Sequence, residues 1–336
     1  VNGELFEPDS GLSRSLDPLA RKSPSIIPWR DFIRSSGAMS QQTDGFQTSW
    51  DSTSLGTLKT CARKYQLSNL YGFRGKKEAI PLTFGLMYHS GIEYYYRRRA
   101  EGASHNDALD FVVDYALKAT WEDGKPWVTD DNNRNRYTLL RSLVWYLDEF
   151  GQSTNTVVLD NGKPAVELSF RFQVGDMDGE PIFLSGHMDQ VISFNDQIWV
   201  QDHKTTTSAL GSYYFDNYTP DNQMSLYSLA SKVVFHQPAR GVMIDAAQIA
   251  VSFTRFSRGF APRHEEVLTE WLADTIRWIR QAHWFAIERE WPMNDSSCSK
   301  FGGCAFRGIC SKPPSIRAEF LAANFNQVLW DPTVPR

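Results

Sequence analysis

The stretch IFLSGHMDQVISFNDQIWVQDHK, residues 182–204, decides the fold. Two apolar runs, Ile182 to Ile192 and Ile198 to Lys204, flank Phe194-Asn195-Asp196-Gln197. Asn and Asp accept the left-handed backbone that a tight hairpin turn demands, so this stretch is predicted to be two antiparallel strands. Side chains alternate across a strand, which puts Asp202 and Lys204 on one side of the sheet and His203 on the other. If the hairpin pairs as predicted, Asp189 approaches the side of Asp202 and Lys204. Two converging carboxylates make an oxygen-rich site for Mg²⁺ or Mn²⁺. A lysine beside them can orient or help deprotonate a water and stabilise charge growing on a phosphate. These are the parts for metal-assisted phosphodiester hydrolysis.

A bare Asp-x-Lys is more often a solvated ion pair at a sheet edge. Two features add weight here. Gly186-His187-Met188-Asp189 stands one strand earlier, and Gln223 and Tyr227 lie i, i+4 on one face of a helix expected at about 220–236. Upstream, Val166, Leu168, Phe170 and Phe172 alternate with Glu167, Ser169 and Arg171, the pattern of a strand with one buried face. Helices are expected from Ser52 or Thr53 through Leu55, Leu58 and Cys61, from Pro81 to about Arg99, and over about 105–120 and 133–151. Gly241 to Phe253 reads as an apolar strand, and about 263–290 as a long amphipathic helix with Leu268, Leu272, Ile276 and Ile279 on its stripe. Residues 1–48, rich in Ser, Pro, Gly and Gln, read as an extended or partly disordered arm. Residues 49–312 read as one α/β core with a helical N-terminal elaboration, and 313–336 as a tail.

The chain has 336 residues, 41% apolar and 13% aromatic, ample for a large core. A net charge of −4 gives no global basic signature, so nucleic-acid binding would need a local basic surface. Arg97-Arg98-Arg99 and Lys76-Lys77 are candidates for phosphate contacts. Tyr94–Tyr96 and Tyr213-Tyr214-Phe215 are candidates for stacking on bases, or for core. No apolar run reaches 18 residues and no charged-then-apolar leader opens the chain, so the expectation is a cytoplasmic protein with no membrane contact. Gly72-Phe73-Arg74-Gly75-Lys76-Lys77 lacks Walker A spacing, so no ATPase domain is expected.

Only four cysteines occur: Cys61, then Cys298, Cys304 and Cys310 as C-x5-C-x5-C. That is too few for a disulfide scaffold, and three near one end suit metal binding. Four thiolates can take zinc or an iron–sulfur cluster. The wide gaps, with Gly302, Gly303 and Gly308, let the backbone wrap a larger object and favour the cluster, which would tie the two ends of the fold together.

Gly85-Leu86-Met87-Tyr88-His89, Gly186-His187-Met188-Asp189, Asp202-His203-Lys204 and Gln223-Met224-Ser225-Leu226-Tyr227 together resemble the RecB-like branch of the PD-(D/E)XK nuclease superfamily. The cysteines resemble its iron–sulfur subset, which includes the CRISPR adaptation nuclease and AddB. The resemblance spans about residues 50–312. It implies a restriction-endonuclease-like core, with a mixed central sheet flanked by helices. It implies metal ligation by His89, Asp189 and Asp202, catalysis by Lys204, and support from Gln223 and Tyr227. Glu167 matches a carboxylate often found on the preceding strand and takes a supporting role, and Glu93 would orient the His89 imidazole. A 4Fe–4S cluster would sit on Cys61, Cys298, Cys304 and Cys310, although this subset more often has a shorter first gap. The implied activity is a Mg²⁺- or Mn²⁺-dependent DNA exonuclease acting on single-stranded ends, with recombination, repair or replication proteins as partners, in a bacterial or phage-infected cell. A structure-specific endonuclease, and a cluster-bearing DNA-binding subunit with a vestigial site, are the alternatives.

Overall fold

The computed structural model describes residues 37–76, 79–159, 162–235, 239–300, 303–328 and 331–334. The expectations for 1–36, Lys77 and Gly302 lie outside them. In chain order come β1 (Ser49–Trp50), α1 (Ser52–Thr60), α2 (Ala62–Tyr65) running into a π turn at Gln66–Leu70, β2 (Phe73–Gly75), α3 (Ile80–Ala100) and α4 (His105–Ala119). A short hairpin, β3 (Trp121–Glu122) and β4 (Lys125–Pro126), precedes α5 (Arg136–Phe150), and β5 (Asn155–Thr156) leads to β6 (Val166–Met177), β7 (Glu180–Phe194) and β8 (Gln197–Thr206). Then follow α6 (Ser212–Asp216), α7 (Asn222–Phe235), β9 (Gly241–Ile249), β10 (Thr254–Pro262), α8 (Glu265–Glu288), α9 (Arg307–Cys310), α10 (Arg317–Asn324) and β11 (Phe325–Gln327).

Local chemistry sets these boundaries. The first helix is capped by Asp51, whose carboxylate accepts from the Ser54 amide at 3.0 Å, one residue before the expected Ser52. Pro81 sits in the first turn of α3, and Asn135 caps α5 by accepting from the Tyr137 and Thr138 amides. Asn195 and Asp196 adopt φ 49° and 57°, the pair a two-residue hairpin turn needs.

The central sheet is mixed, in the order β1-β7-β8-β9-β10, with β5 and β6 on the other edge of β7. The long strand β7 shapes the site. Along one edge it pairs with β6 from Val166↔Gln190 to Met177↔Glu180. Its other edge pairs with β8 only from Gln190↔Gln201 to Phe194↔Gln197, and with β1, in parallel, at Phe183 and Leu184. Between Leu184 and Gln190 the sheet therefore forks. Beyond the fork β8 runs parallel to β9. Alternation sends Val242, Ile244 and Ala246 into a core with Leu55, Met224 and Ile279 from α1, α7 and α8. Ala247 and Ile249 pack instead against Tyr88, Leu143 and Tyr146 from α3 and α5. Helices thus cover both faces, as the sequence implies for an α/β fold of this class. No helix among the described residues is long and apolar enough to cross a membrane.

Three expectations need correction. Residues 37–48 are not an extended arm: Met39 bridges Gln47, Phe46 is buried, and its ring lies 4.7 Å from that of His283. The apolar Phe46 holds this segment on α8 despite its polar neighbours. The expected tail likewise docks, with Leu321 buried and β11 paired to β2. The strand expected to run to Phe253 ends at Ile249 and turns back as β10, whose polar Arg255, Ser257 and Arg258 break the apolar signal.

Candidate metal centre and active site

Asp189 sits at the fork, where β7 parts from β8. Its Oδ2 accepts from the His203 backbone N–H at 2.8 Å, taking over where the ladder hydrogen bonds stop. The same oxygen lies 3.1 Å from His89 Nδ1, which α3 brings across from its helical layer. Glu167 completes the group. One ligand atom from each of His89, Glu167 and Asp189 falls within 4.8 Å of the others.

Strict alternation would have turned Glu167 away from the core side of β6. It adopts φ 48° instead, a left-handed conformation rare outside glycine, and its side chain is buried across from Asp189. A residue given a supporting role in the sequence thus joins the group that could hold a metal ion, while Asp202 is outside these three. Asp202 projects to the α7 face, where its Oδ2 lies 2.6 Å from Lys204 Nζ. Lys204 also donates to Gln223 Oε1 at 3.0 Å, and Gln223 Nε2 donates to the Tyr227 hydroxyl at 2.9 Å. The Asp221 carboxylate caps α7 by accepting from the Gln223 and Met224 amides, which fixes where Gln223 starts.

The electrostatics follow from burial and proximity. Burial disfavours a charged His89, but the charge and hydrogen bond of Asp189 outweigh it and raise the imidazole above its ordinary value. Burial would raise Asp189, yet His89 above all holds it well below the usual carboxylate range. Burial, opposed by Lys204 and reinforced by Asp189, pushes the Asp202 carboxyl up to about 6. Burial lowers Lys204, but Asp202 and Asp189 keep it protonated and raised. Positive charge is thus favoured at the fork beside Asp189.

Asp202 Oδ1 is buried without a hydrogen-bond partner, an arrangement that costs about 1–3 kcal/mol unless something binds there. That orphan and the nitrogen-plus-carboxylate donor set beside it fit a divalent cation.

Other expectations resolve as follows. Glu93 does not orient His89; it pairs with Arg97 at 2.7 Å. His187 bonds Ser169 and stays out of the group, although alternation places it on the same face of β7 as Asp189. Of the arginine run, Arg98 lies over the Phe111 ring and Arg99 donates to the Ala103 carbonyl. Tyr95 and Tyr96 are core, whereas Tyr213 is 83% exposed. The sequence missed a buried cluster behind the site. Asp245 Oδ2 accepts from Tyr146, Gln201 and Arg258 at 2.8, 2.6 and 2.9 Å. Asp245 lies inside an apolar run, and its partners are scattered over the chain, so no spacing could have announced them.

The four cysteines are neighbours without forming a tight set. Cys61 is not on the first helix but caps it, and its Sγ accepts from the Asn294 amide at 3.4 Å. The Cys304 amide donates to the Cys298 carbonyl at 3.0 Å. Burial, opposed by Arg63 and Arg317 and reinforced by Cys304 and Cys61, raises the Cys310 thiol. Among the described residues no three cysteine sulfurs lie within 4.8 Å of one another. Thiolates around one zinc would stand about 3.8 Å apart, so no single-zinc centre is assembled here, and the expected cluster site is not shown.

Comparison with solved structures finds a provisionally assigned exonuclease from Eubacterium rectale, 11% identical, covering 88% of this chain and 93% of that one with a TM-score of 0.39. It also finds SSO0001, 12% identical, covering 79% and 86% with a TM-score of 0.27. Likeness at these scores carries no argument. Among curated proteins nothing matches. The sequence itself matches the PD-(D/E)XK nuclease superfamily over residues 50–311, a span that holds every residue of the fork, and the chain belongs to that superfamily.

Proposed function

We propose that this protein is a divalent-metal-dependent DNA exonuclease acting on single-stranded ends. The observation that carries the reading is the fork itself, where His89, Glu167 and Asp189 converge beside the lysine-paired Asp202. His89, Glu167, Asp189 and Asp202 would hold Mg²⁺ or Mn²⁺, which when bound supplies Lewis acidity toward a phosphate and its attacking water. Lys204, anchored by Gln223, places a fixed ammonium where phosphate charge develops. Tyr227 accepts from Gln223 and so steadies the amide that orients the lysine.

Apolar surface flanking the fork supports an unpaired strand. Leu82 and Leu86, 63% and 50% exposed, share a helical stripe with His89, and Tyr213 stands exposed beyond the end of β8. The setting in recombination, repair or replication, and the encounter with proteins of those processes, belong to the same proposal. We also infer that the four neighbouring cysteines close around a 4Fe–4S cluster. Their half-buried, unbridged thiols, with Cys304 and Cys61 both acting on Cys310 from different ends of the fold, support the reading.

The test is linear against circular single-stranded DNA with Mn²⁺. An exonuclease degrades the linear form and leaves circles intact. Cut circles would make the protein an endonuclease instead.

A further inference from the structure

His203 faces away from Asp202 and Lys204, as alternation requires, and what it faces is the back of the same centre. A cavity of about 10 Å³, lined by His89, Tyr96, Glu167, Asp189, Gln190 and His203, lies between α3 and the sheet. That is about the room one water needs. His203 is 2% exposed, and neither of its ring nitrogens has a hydrogen-bond partner. Gln190 Oε1, also in the lining, is buried without one. The imidazole cannot easily swing elsewhere. It stands edge-on to Tyr146 at 5.5 Å and to His89 at 6.1 Å, and its own backbone N–H holds Asp189. It is not in the group within 4.8 Å, so direct ligation beside His89, Glu167 and Asp189 is not its role.

We infer that His203 is a positioning residue that holds one enclosed water behind the metal centre, and that this water braces the ligand carboxylates. The hydrogen-bond inventory closes for the water, for Gln190 Oε1 and for one ring nitrogen, and only the acceptor nitrogen stays unpaired. A neutral imidazole donates to the water oxygen, and the water donates to Gln190 Oε1 and to a carboxylate oxygen of the lining. Such outer partners fix ligand orientation, and losing one typically costs 10–100-fold in metal affinity. The middle residue of Asp202-His203-Lys204 then acts through a ring nitrogen, while its ring edges only keep it in place.

The inference rests on the fork being a metal centre, and its test separates the two claims. Mn²⁺ affinity is measured by electron paramagnetic resonance on wild type, His203→Phe, His203→Asn and Gln190→Met, with kcat and KM on a single-stranded oligonucleotide. His203→Phe keeps the ring contacts to Tyr146 and His89 but loses both nitrogens. It should weaken Mn²⁺ binding by about 10-fold or more and lower kcat with KM unchanged. His203→Asn should recover part of the affinity, and Gln190→Met should show a smaller loss in the same direction. Wild-type affinity in His203→Phe overturns the inference while leaving the nuclease reading intact. Should His203→Phe fail to fold, unchanged affinity in Gln190→Met overturns it. Wild-type protein that neither binds Mn²⁺ nor cleaves DNA overturns both.

Discussion

His89 Nδ1 and Asp189 Oδ2 stand 3.1 Å apart, on elements from different layers of the fold: a helix on one side and the forked edge of a strand on the other. The contact exists because β8 leaves β7 at Gln190, freeing the Asp189 side chain from ladder geometry. Close packing brings the helix in. At Gly91, two residues beyond His89, a Cβ would come within 2.7 Å of Leu143 Cδ2, so any larger residue would have to push the buried Leu143 side chain of α5 aside.

Glu167→Gln tests whether the left-handed carboxylate is a ligand. The change is nearly isosteric and keeps the buried packing, so the protein should fold normally. Mn²⁺ affinity should fall, and cleavage with it by about 10²–10³-fold, the loss typical of removing one electrostatic partner in an active site. Calorimetric titration with Mn²⁺ on the variant is the check, and unchanged affinity would return Glu167 to a supporting role.

A pH dependence follows from Asp202. Its carboxyl is pushed up to about 6, so it is protonated below that pH and must lose the proton to bind a cation. His89, raised above its ordinary value, must lose its proton as well, so affinity for Mn²⁺ should already decline as pH falls through the imidazole range and fall more steeply than about tenfold per unit below 6. Asp189, held well below the usual range, contributes nothing in that window. Stability of the metal-free protein moves the other way. A raised folded-state pKa favours the folded form below the ordinary carboxylate value, and that gain is lost as pH rises through 6. Burial lowers His203 to about 4 and acts the other way over this window, so thermal melts of chelator-treated wild type and Asp202→Asn at pH 5 and 7.5 read the Asp202 sign by difference.

Tyr213 offers a test of strand preference that leaves the chemistry alone. Its exposed ring supports nothing in the core, so Tyr213→Ala should melt like wild type. Loss of one stacking platform is worth about 1–3 kcal/mol per base, which should raise KM for single-stranded oligonucleotides several-fold or more without changing Mn²⁺ affinity. An unchanged KM would remove this residue from the DNA path.

For the cysteines, anaerobically purified protein should carry iron and a brown chromophore. Cys61→Ser and Cys310→Ser should each lose both and melt at lower temperature, because the proposed cluster would link the segment after α1 to the segment around α9. Colourless, iron-free wild-type protein with an unaltered melt in both variants would leave four ordinary thiols.

The hairpin of β7 and β8, the Asp202 and Lys204 face, and the Gln223–Tyr227 pair were legible because each depends on short-range rules: turn residues, alternation and i, i+4 spacing. His89 was legible only through its place in an ordered series of motifs. Glu167 was visible as a strand residue, but its rank was hidden, since one backbone angle, φ 48°, overrides the alternation that would have turned it away. β10 was lost to its polar residues, and the docking of Phe46 and Leu321 to contacts with distant segments. The Asp245 cluster joins Tyr146, Gln201 and Arg258 from three other elements, and the separation of the cysteine sulfurs is likewise set by tertiary packing. No local pattern encodes either.

The central claim is that the fork is a metal-dependent nuclease site, and cleavage of 5′-labelled single-stranded DNA in Mn²⁺ by wild type and Lys204→Ala tests it most directly. The account predicts cleavage by the wild type, abolished by chelator, and reduced at least about 10²-fold in a Lys204→Ala protein that still binds Mn²⁺. Equal cleavage by the two proteins, or none by wild type that binds Mn²⁺ and DNA, would contradict it.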